Sequence, residues 1–347
     1  MLNRERYARS LDAALAGAGA ADFLRGKRVL VTGATGLIGS FIVDALLRSN
    51  ETANAGVAIH AAGRSEEGMR ARFGGAAEDP AFHYVPYDAR RPFALDFSPD
   101  LVIHAATSAH PLAYSQDPVG VMQANLTGTI NLLEALRGVP EARMIFLSTG
   151  ETYGENPDLP EGFSETDHGW IDPMNPRACY PESKRAAETL IACYRAQYGV
   201  DARVARLCHV YGPTFTAASS RADAQFIRRA LAGEDIVLKS AGAQVRSWCY
   251  VADAAAAILA LLARGAAGQA YNVANRRATA SIREYAATLA RIAGVNLTFD
   301  LPPEAEKAGY TRITRAVLNP AKLEALGWEA QYDLEAGLTE TFFCSKA

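Results

Sequence analysis

Residues 28–47 read RVLVTGATGLIGSFIVDALL. The first five form an apolar run behind one polar residue, the pattern of a short parallel strand buried on both faces. Gly33, Gly36 and Gly39 follow in two three-residue steps, and FIVDALL continues as an apolar helix. Glycine is required first for a tight turn, next where backbone approaches a phosphate, and last where helix packs on strand. The start of the helix offers unpaired N–H groups and positive potential to a pyrophosphate. Since the glycines follow a strand pattern and open a helix pattern, the segment meets the structural condition for dinucleotide binding. Gly33, Thr35, Gly36, Leu37, Ile38 and Gly39 are expected to line that site.

Further strand patterns occur at 57–61, 84–87, 100–107 and 144–147, with helical patterns between them, one of which (NLTGTINLLEAL) opens at Asn125. Strands alternating with helices predict an α/β fold with a doubly wound parallel sheet. Ligands of such sheets bind beyond the carboxyl ends of the strands. The second strand ends in AAGRSEEG, where a chain preferring NAD usually carries an acid for the ribose 2′-hydroxyl. Here Gly63 and Arg64 stand there with no acid before Glu66, which leaves NADP open as the cofactor. Asp88 is placed to accept from an adenine amino group, and Ala105, Ala106 and Thr107 are small where a cofactor backbone would pass. Asn125 and Ser148 complete the expected cofactor set.

The chain has 347 residues, enough for one large or two interleaved domains. Hydrophobic residues make up 49% and charged ones 21%, as in soluble globular enzymes. A net charge of −3 with no basic run gives nothing for nucleic acid to bind. No stretch of about 18 apolar residues occurs, so no membrane insertion is expected. The first 23 residues carry early charge, which predicts an amphipathic helix on Tyr7, Leu11 and Leu15 rather than a signal. Five scattered cysteines fit reduced thiols and a cytoplasmic location, and neither they nor the six histidines show metal-ligand spacing. Trp170, Trp248 and Trp328 read as packing residues, and His110 as a possible substrate neighbour.

Residues 148–188 hold the candidate chemistry. They place a hydroxyl (Thr149), a carboxylate two residues on (Glu151), and a tyrosine four residues before a lysine (Tyr180, Lys184). Four-residue spacing on a helix puts phenol and ammonium on one face. At about 4 Å and an effective dielectric near 20, a unit charge contributes roughly 4 kcal/mol, enough to lower a phenol pKa by up to about three units. That would make Tyr180 an acid–base group near neutral pH.

Taken in order, GATGLIG, HAAT, STGETYG, YPESK, HVYGP and VRSWCYVAD resemble the extended short-chain dehydrogenase/reductase family, and within it the nucleotide-sugar epimerases, dehydratases and decarboxylases. The resemblance implies a Rossmann domain (25–208 plus 247–276), a smaller nucleotide-sugar-binding lobe (209–246 plus 277–347) and a helical extension (1–24). It implies that Thr149 bonds the reacting sugar hydroxyl, Tyr180 removes its proton, and Lys184 holds the nicotinamide ribose. Arg246 would clamp the diphosphate, with Arg221 and Gln225 in the segment touching phosphate or base. His209 stands where the family usually has Asn. A homodimer through helices at 125–136 and 180–197 is implied in the same way.

The run WIDPMNPRACYPESKRAAETL, which contains Arg177, is most similar to UDP-glucuronate decarboxylases, and Tyr114 fits that subgroup. Asp172 does not, because a carboxylate near a substrate carboxylate would be repulsive. Thr149-Gly150-Glu151 lacks the Asp of dTDP-glucose-type dehydratases. The resemblance therefore implies oxidation of UDP-glucuronate at C4, loss of CO2 and return of the hydride. A 4-epimerase, a 4,6-dehydratase, an NADPH-dependent 4-keto-sugar reductase and a non-catalytic dinucleotide sensor are the alternatives.

Overall fold

A computed structural model of the chain describes residues 2–301 and 313–346, apart from 108, 140, 157 and 160. The part of the expected lobe at 302–312 lies outside the described residues. The helices are α1 (Arg4–Ala18), α2 (Ala21–Leu24), α3 (Leu37–Ala53), α4 (Glu66–Phe73), α5 (Pro111–Gln116) and α6 (Pro118–Leu136). They continue with α7 (Cys179–Tyr198), α8 (Ala222–Leu231), α9 (Val251–Arg264), α10 (Ile282–Ala293), α11 (Ala321–Glu324) and α12 (Leu334–Ser345). The strands are β1 (Arg28–Thr32), β2 (Ala58–Gly63), β3 (Phe82–Pro86), β4 (Leu101–His104), β5 (Arg143–Thr149), β6 (Asp201–Leu207) and β7 (His209–Tyr211). After these come β8 (Ile236–Leu238), β9 (Val245–Tyr250), β10 (Ala270–Val273), β11 (Thr279–Ser281), β12 (Leu297–Phe299) and β13 (Arg315–Ala316).

Seven strands form one parallel sheet in the order β10-β6-β5-β4-β1-β2-β3. The expected doubly wound sheet is thus present, and its inner strands β1, β4 and β5 are mostly apolar and buried, as expected where both faces are covered. Successive side chains of β1 point to opposite faces. Val29 and Val31 join one core with Phe41, Ile103 and Leu259, while Leu30 joins the other with Val102, Leu133 and Ile191. Each such aliphatic side chain contributes roughly 1.5–3 kcal/mol by burial.

Helix α6 begins at Pro118, seven residues before the expected Asn125. Asp117 accepts from Gly120 N at 2.9 Å and proline occupies the first turn, a start signal that overrides the apolar periodicity further on. The expected extension at 1–24 is integral to the body. Helix α1 lies against α3 and α9, its Ser10 Oγ is 2.9 Å from Tyr250 Oη, and Tyr7 Oη donates to Asp44 at 2.5 Å. Strand β9 pairs with β7, β11 and β13 in a second sheet, so residue 247, expected as a domain boundary, lies inside one strand. Among the described residues no helix is long and apolar enough to cross a membrane.

Candidate active site

A cavity of about 500 Å³ opens at the carboxyl ends of the parallel strands. Gly33, Thr35, Gly36, Leu37, Ile38 and Gly39 line it, together with Arg64, Asp88, Ala105, Ala106, Thr107, Ser148 and Tyr180. The first turn is shaped by what a side chain would hit. Gly33 has φ +66°, and a Cβ there would lie 2.7 Å from Ala105 O; one on Gly39 would lie 2.3 Å from Gly33 O. The neighbouring turn is fixed by Thr32, whose hydroxyl accepts from Ala105 N and Ala106 N at 3.2 Å and lies 2.8 Å from His104 Nδ1. Burial lowers the His104 imidazole to about 3, so it stays neutral. The Thr32–His104 pair was not among the expected residues; its signal was a polar residue ending each of two adjacent apolar strands.

The lining fits a dinucleotide. Thr107 Oγ1 and Arg221 Nη2 are buried polar atoms on this wall with no partner among the described residues. Arg64 reaches the wall from the end of β2 and has no ion pair or hydrogen bond among the described residues. Asp88 accepts from Arg90 N at 3.0 Å, which with Arg90 and Arg91 holds its carboxyl below the usual range. Asn125 is not on the wall. It stands behind it, donating to Ser183 Oγ at 2.8 Å, and Ser183 donates to Cys179 O, so Asn125 supports the first turn of α7.

That first turn carries Tyr180, which is buried. The Tyr114 ring stacks on it at 4.7 Å and 22°, and the Arg177 guanidinium lies over the Tyr114 ring at 4.4 Å. Arg177 Nη2 donates to Glu151 Oε2 at 2.8 Å. Glu151 N donates in turn to Thr149 Oγ1 at 3.2 Å, within the tight turn that follows β5. Thr149, Glu151, Tyr180, Tyr114 and Arg177 are therefore gathered around one point. Burial and the Glu151 charge raise the phenol above its ordinary range, opposed by the Thr149 hydroxyl and the cations Arg221 and Arg177.

Lys184 is engaged by the protein's own backbone. Lys184 shares a face of α7 with Tyr180, yet its Nζ donates to Leu147 O at 2.7 Å and sits 4.3 Å from the Phe146 ring centroid. The groups acting most strongly on the phenol are Glu151, Thr149, Arg221 and Arg177, not Lys184. A shared helix face fixes where side chains start, and four methylenes then carry the ammonium toward β5. Burial lowers Lys184 to about 7, and Glu188 pulls it upward.

Of the remaining expected substrate contacts, Arg221 lines the cavity, with its Nε on Asp223 Oδ1 at 3.0 Å. Gln225 donates to Ser220 O at 2.9 Å and is not on the wall. Arg246 is buried, and its fork is engaged by main-chain oxygens: Nη1 by Val245 O at 2.9 Å and Nη2 by Ile313 O at 2.9 Å. His209 is half-buried beside Trp248, kept neutral by burial and by Arg221 and Arg246. Asp172 caps its own turn, accepting from Met174 N at 3.0 Å, and is not on the wall. His110 lines the cavity, 3.2 Å from Ser220 Oγ. The described residues contain no cluster fit to hold a metal.

A glycine turn for a pyrophosphate beside a buried tyrosine and hydroxyl defines a nicotinamide-dependent enzyme working on an alcohol carbon. The chain belongs to the NAD dependent epimerase/dehydratase family, whose profile matches residues 29–274. It is 32% identical over 311 residues to UDP-glucuronic acid decarboxylase 3 of Arabidopsis thaliana, covering 90% of this chain and 86% of that one. To UDP-glucuronic acid decarboxylase 1 of Xenopus tropicalis it is 31% identical over 315 residues, 91% of this chain and 71% of that one. Among solved structures, a Thermus thermophilus UDP-glucose 4-epimerase complex with NAD superposes with a TM-score of 0.74 at 28% identity, covering 91% and 97% of the two chains.

Proposed function

We propose that the protein converts UDP-glucuronate to UDP-xylose and CO2 through a transient 4-keto sugar. The observation that carries this reading is the gathering of Thr149 and the Glu151–Arg177 pair around Tyr180, which itself lines the cavity shared with the glycine turn. The likeness to decarboxylases over about nine-tenths of the chain supports the choice of sugar. In this reading NAD, when bound, accepts the hydride from C4 and returns it, so the cofactor is unchanged overall. Tyr180, with Thr149 sharing the proton, takes the proton of the C4 hydroxyl. Arg221 and Arg177 are the cations that favour the phenolate needed for that transfer. The C4 ketone is then β to the C6 carboxylate; the C5–C6 bond breaks, CO2 leaves, and its electron pair passes into the C4 enolate. One proton is taken up at C5, a transfer assigned in this reading to Glu151, the carboxyl of the cluster. Asp172 is off the cavity wall and accepts from Met174 N in its own turn.

Arg64, in a position without an acid and with no ion pair or hydrogen bond among the described residues, would give the same site a place for a 2′-phosphate, so NADP is a second cofactor reading. Assembly as a homodimer through α6 and α7 is proposed on the exposed apolar residues Val119, Met122 and Ile130 of α6. Incubation with UDP-glucuronate and NAD is expected to give UDP-xylose and CO2 in equal amounts. Formation of UDP-galacturonate instead would overturn decarboxylation in favour of 4-epimerisation, the activity named for the Thermus structure.

A further inference from the structure

The helix that carries Tyr180 and Lys184 carries a third residue at the same spacing. Glu188 lies one turn below Lys184, and its carboxylate is nine-tenths buried. Ser148 Oγ, on the cavity wall, donates to Glu188 Oε1 at 2.5 Å. Arg206 of β6 grips the same carboxylate from Nε at 3.0 Å and Nη2 at 2.7 Å, the forked geometry of a strong charge pair. Arg206 Nη1 donates to Tyr153 Oη at 2.9 Å and to Glu165 O at 2.9 Å, and Tyr153 Oη donates to Asn272 Oδ1 at 2.7 Å. The carboxylate is thus held by two residues, Ser148 and Arg206, and Arg206 is itself anchored by Tyr153 and Glu165 O.

We propose that Glu188, locked by Arg206, is a positioning residue that keeps Lys184 cationic in its dry site and fixes Ser148 on the cofactor wall. The charges around Lys184 leave this role to Glu188. On α7 the neighbours are Tyr180, a neutral phenol, and Glu188. On β4 it is His104, neutral by burial. From β5 come only the Phe146 ring, the Leu147 carbonyl and the Ser148 hydroxyl. β6 presents Arg206, whose charge Glu188 offsets. Glu151 and Arg177 neutralise each other on the Tyr180 side. Glu188 is the one anion of this set acting on Lys184, while burial drives the ammonium the other way.

The inference rests on the placing of Lys184 beside the reacting tyrosine, but its test needs no substrate. A lysine whose folded pKa lies below its unfolded value of 10.5 binds its proton more tightly when unfolded, so stability climbs as pH rises from the folded value toward 10.5. Thermal stability of the full-length protein, without cofactor, is measured from pH 5 to 10 for wild type, Glu188→Gln and Arg206→Gln. Glu188→Gln removes the anion and keeps an acceptor for Ser148, so the climb begins about one pH unit lower. Arg206→Gln leaves Glu188 unopposed and moves the climb upward. Opposite shifts are a signature that a packing role does not produce; coincident profiles, or shifts of the same sign, overturn the proposal. Should Glu188→Gln fail to fold, Glu188→Asp, which keeps the charge, must retain the wild-type onset, and an onset moved down by that variant overturns it equally. A wild-type protein that binds no dinucleotide would remove the functional reading while these profiles still decide the role of Glu188.

Discussion

The two halves of the cavity are built from different materials. On the dinucleotide side the wall is main chain, with a glycine turn at φ +66° pressed against the segment after β4 and a threonine hydroxyl pinning two backbone amides. On the substrate side the expected groups are long side chains, Arg221 on the wall and Arg177 and Arg246 off it, that already hold protein partners. Arg177 is on Glu151, Arg221 on Asp223, and Arg246 on carbonyl oxygens. A backbone site is preorganised by sterics and has few ways to change. A side-chain site is set by which partner each charged group prefers, and a ligand must compete for it.

Substitutions can break or sharpen that contrast. The largest effect is expected on the backbone side: Gly39→Ala puts a methyl 2.3 Å from Gly33 O, and saturable NAD binding should disappear in a fluorescence titration. Gly33→Ala adds a positive-φ strain of about 1–3 kcal/mol, readable as a lower urea midpoint. Next, Tyr180→Phe should lower turnover of UDP-glucuronate by roughly 10²- to 10⁴-fold with NAD affinity kept, because only the proton transfer is lost. An intermediate effect is expected for Arg177→Ala, which strips a charged hydrogen bond from Glu151 and the cation from the Tyr114 ring. Its kcat/KM should fall about ten- to hundred-fold, from the loss of roughly 1.5–3 kcal/mol. If instead NAD affinity fell in step, the two halves would be coupled and the contrast would be wrong. The smallest effect falls at the rim: Arg64→Ala should weaken NADPH binding about ten-fold and leave NAD unchanged, matching one charged contact of roughly 1.5 kcal/mol.

The same contrast explains what could be read from residues alone. Gly33, Gly36 and Gly39 were legible because spacing in the chain is spacing in space within a turn. All the expected cofactor residues but Asn125 and Lys184 line the cavity, together with Arg221 and His110, and most of them directly end or follow a parallel strand. Asn125 and Lys184 stand behind the wall rather than on it, since a helix position gives a face but not the direction of a side chain. Glu188 was invisible: its meaning depends on Arg206 and Ser148, which arrive from β6 and β5. The expected boundary at 247 falls inside β9, because a strand that pairs with β7, β11 and β13 carries no sequence mark of which sheet it joins.

Arg246 gives the last of these differences a kinetic meaning. Its two terminal nitrogens are held by Val245 O and Ile313 O, and Val245 N bonds Thr314 O at 2.9 Å, so the arginine staples one edge of the second sheet. Were Arg246 to clamp an anion, as the family resemblance implies, it would take donors away from those oxygens, and uptake would be a swap rather than an addition. Ligand grip and sheet-edge integrity then trade against each other, and amide protons around 313–316 should exchange faster in the loaded enzyme than in the empty one.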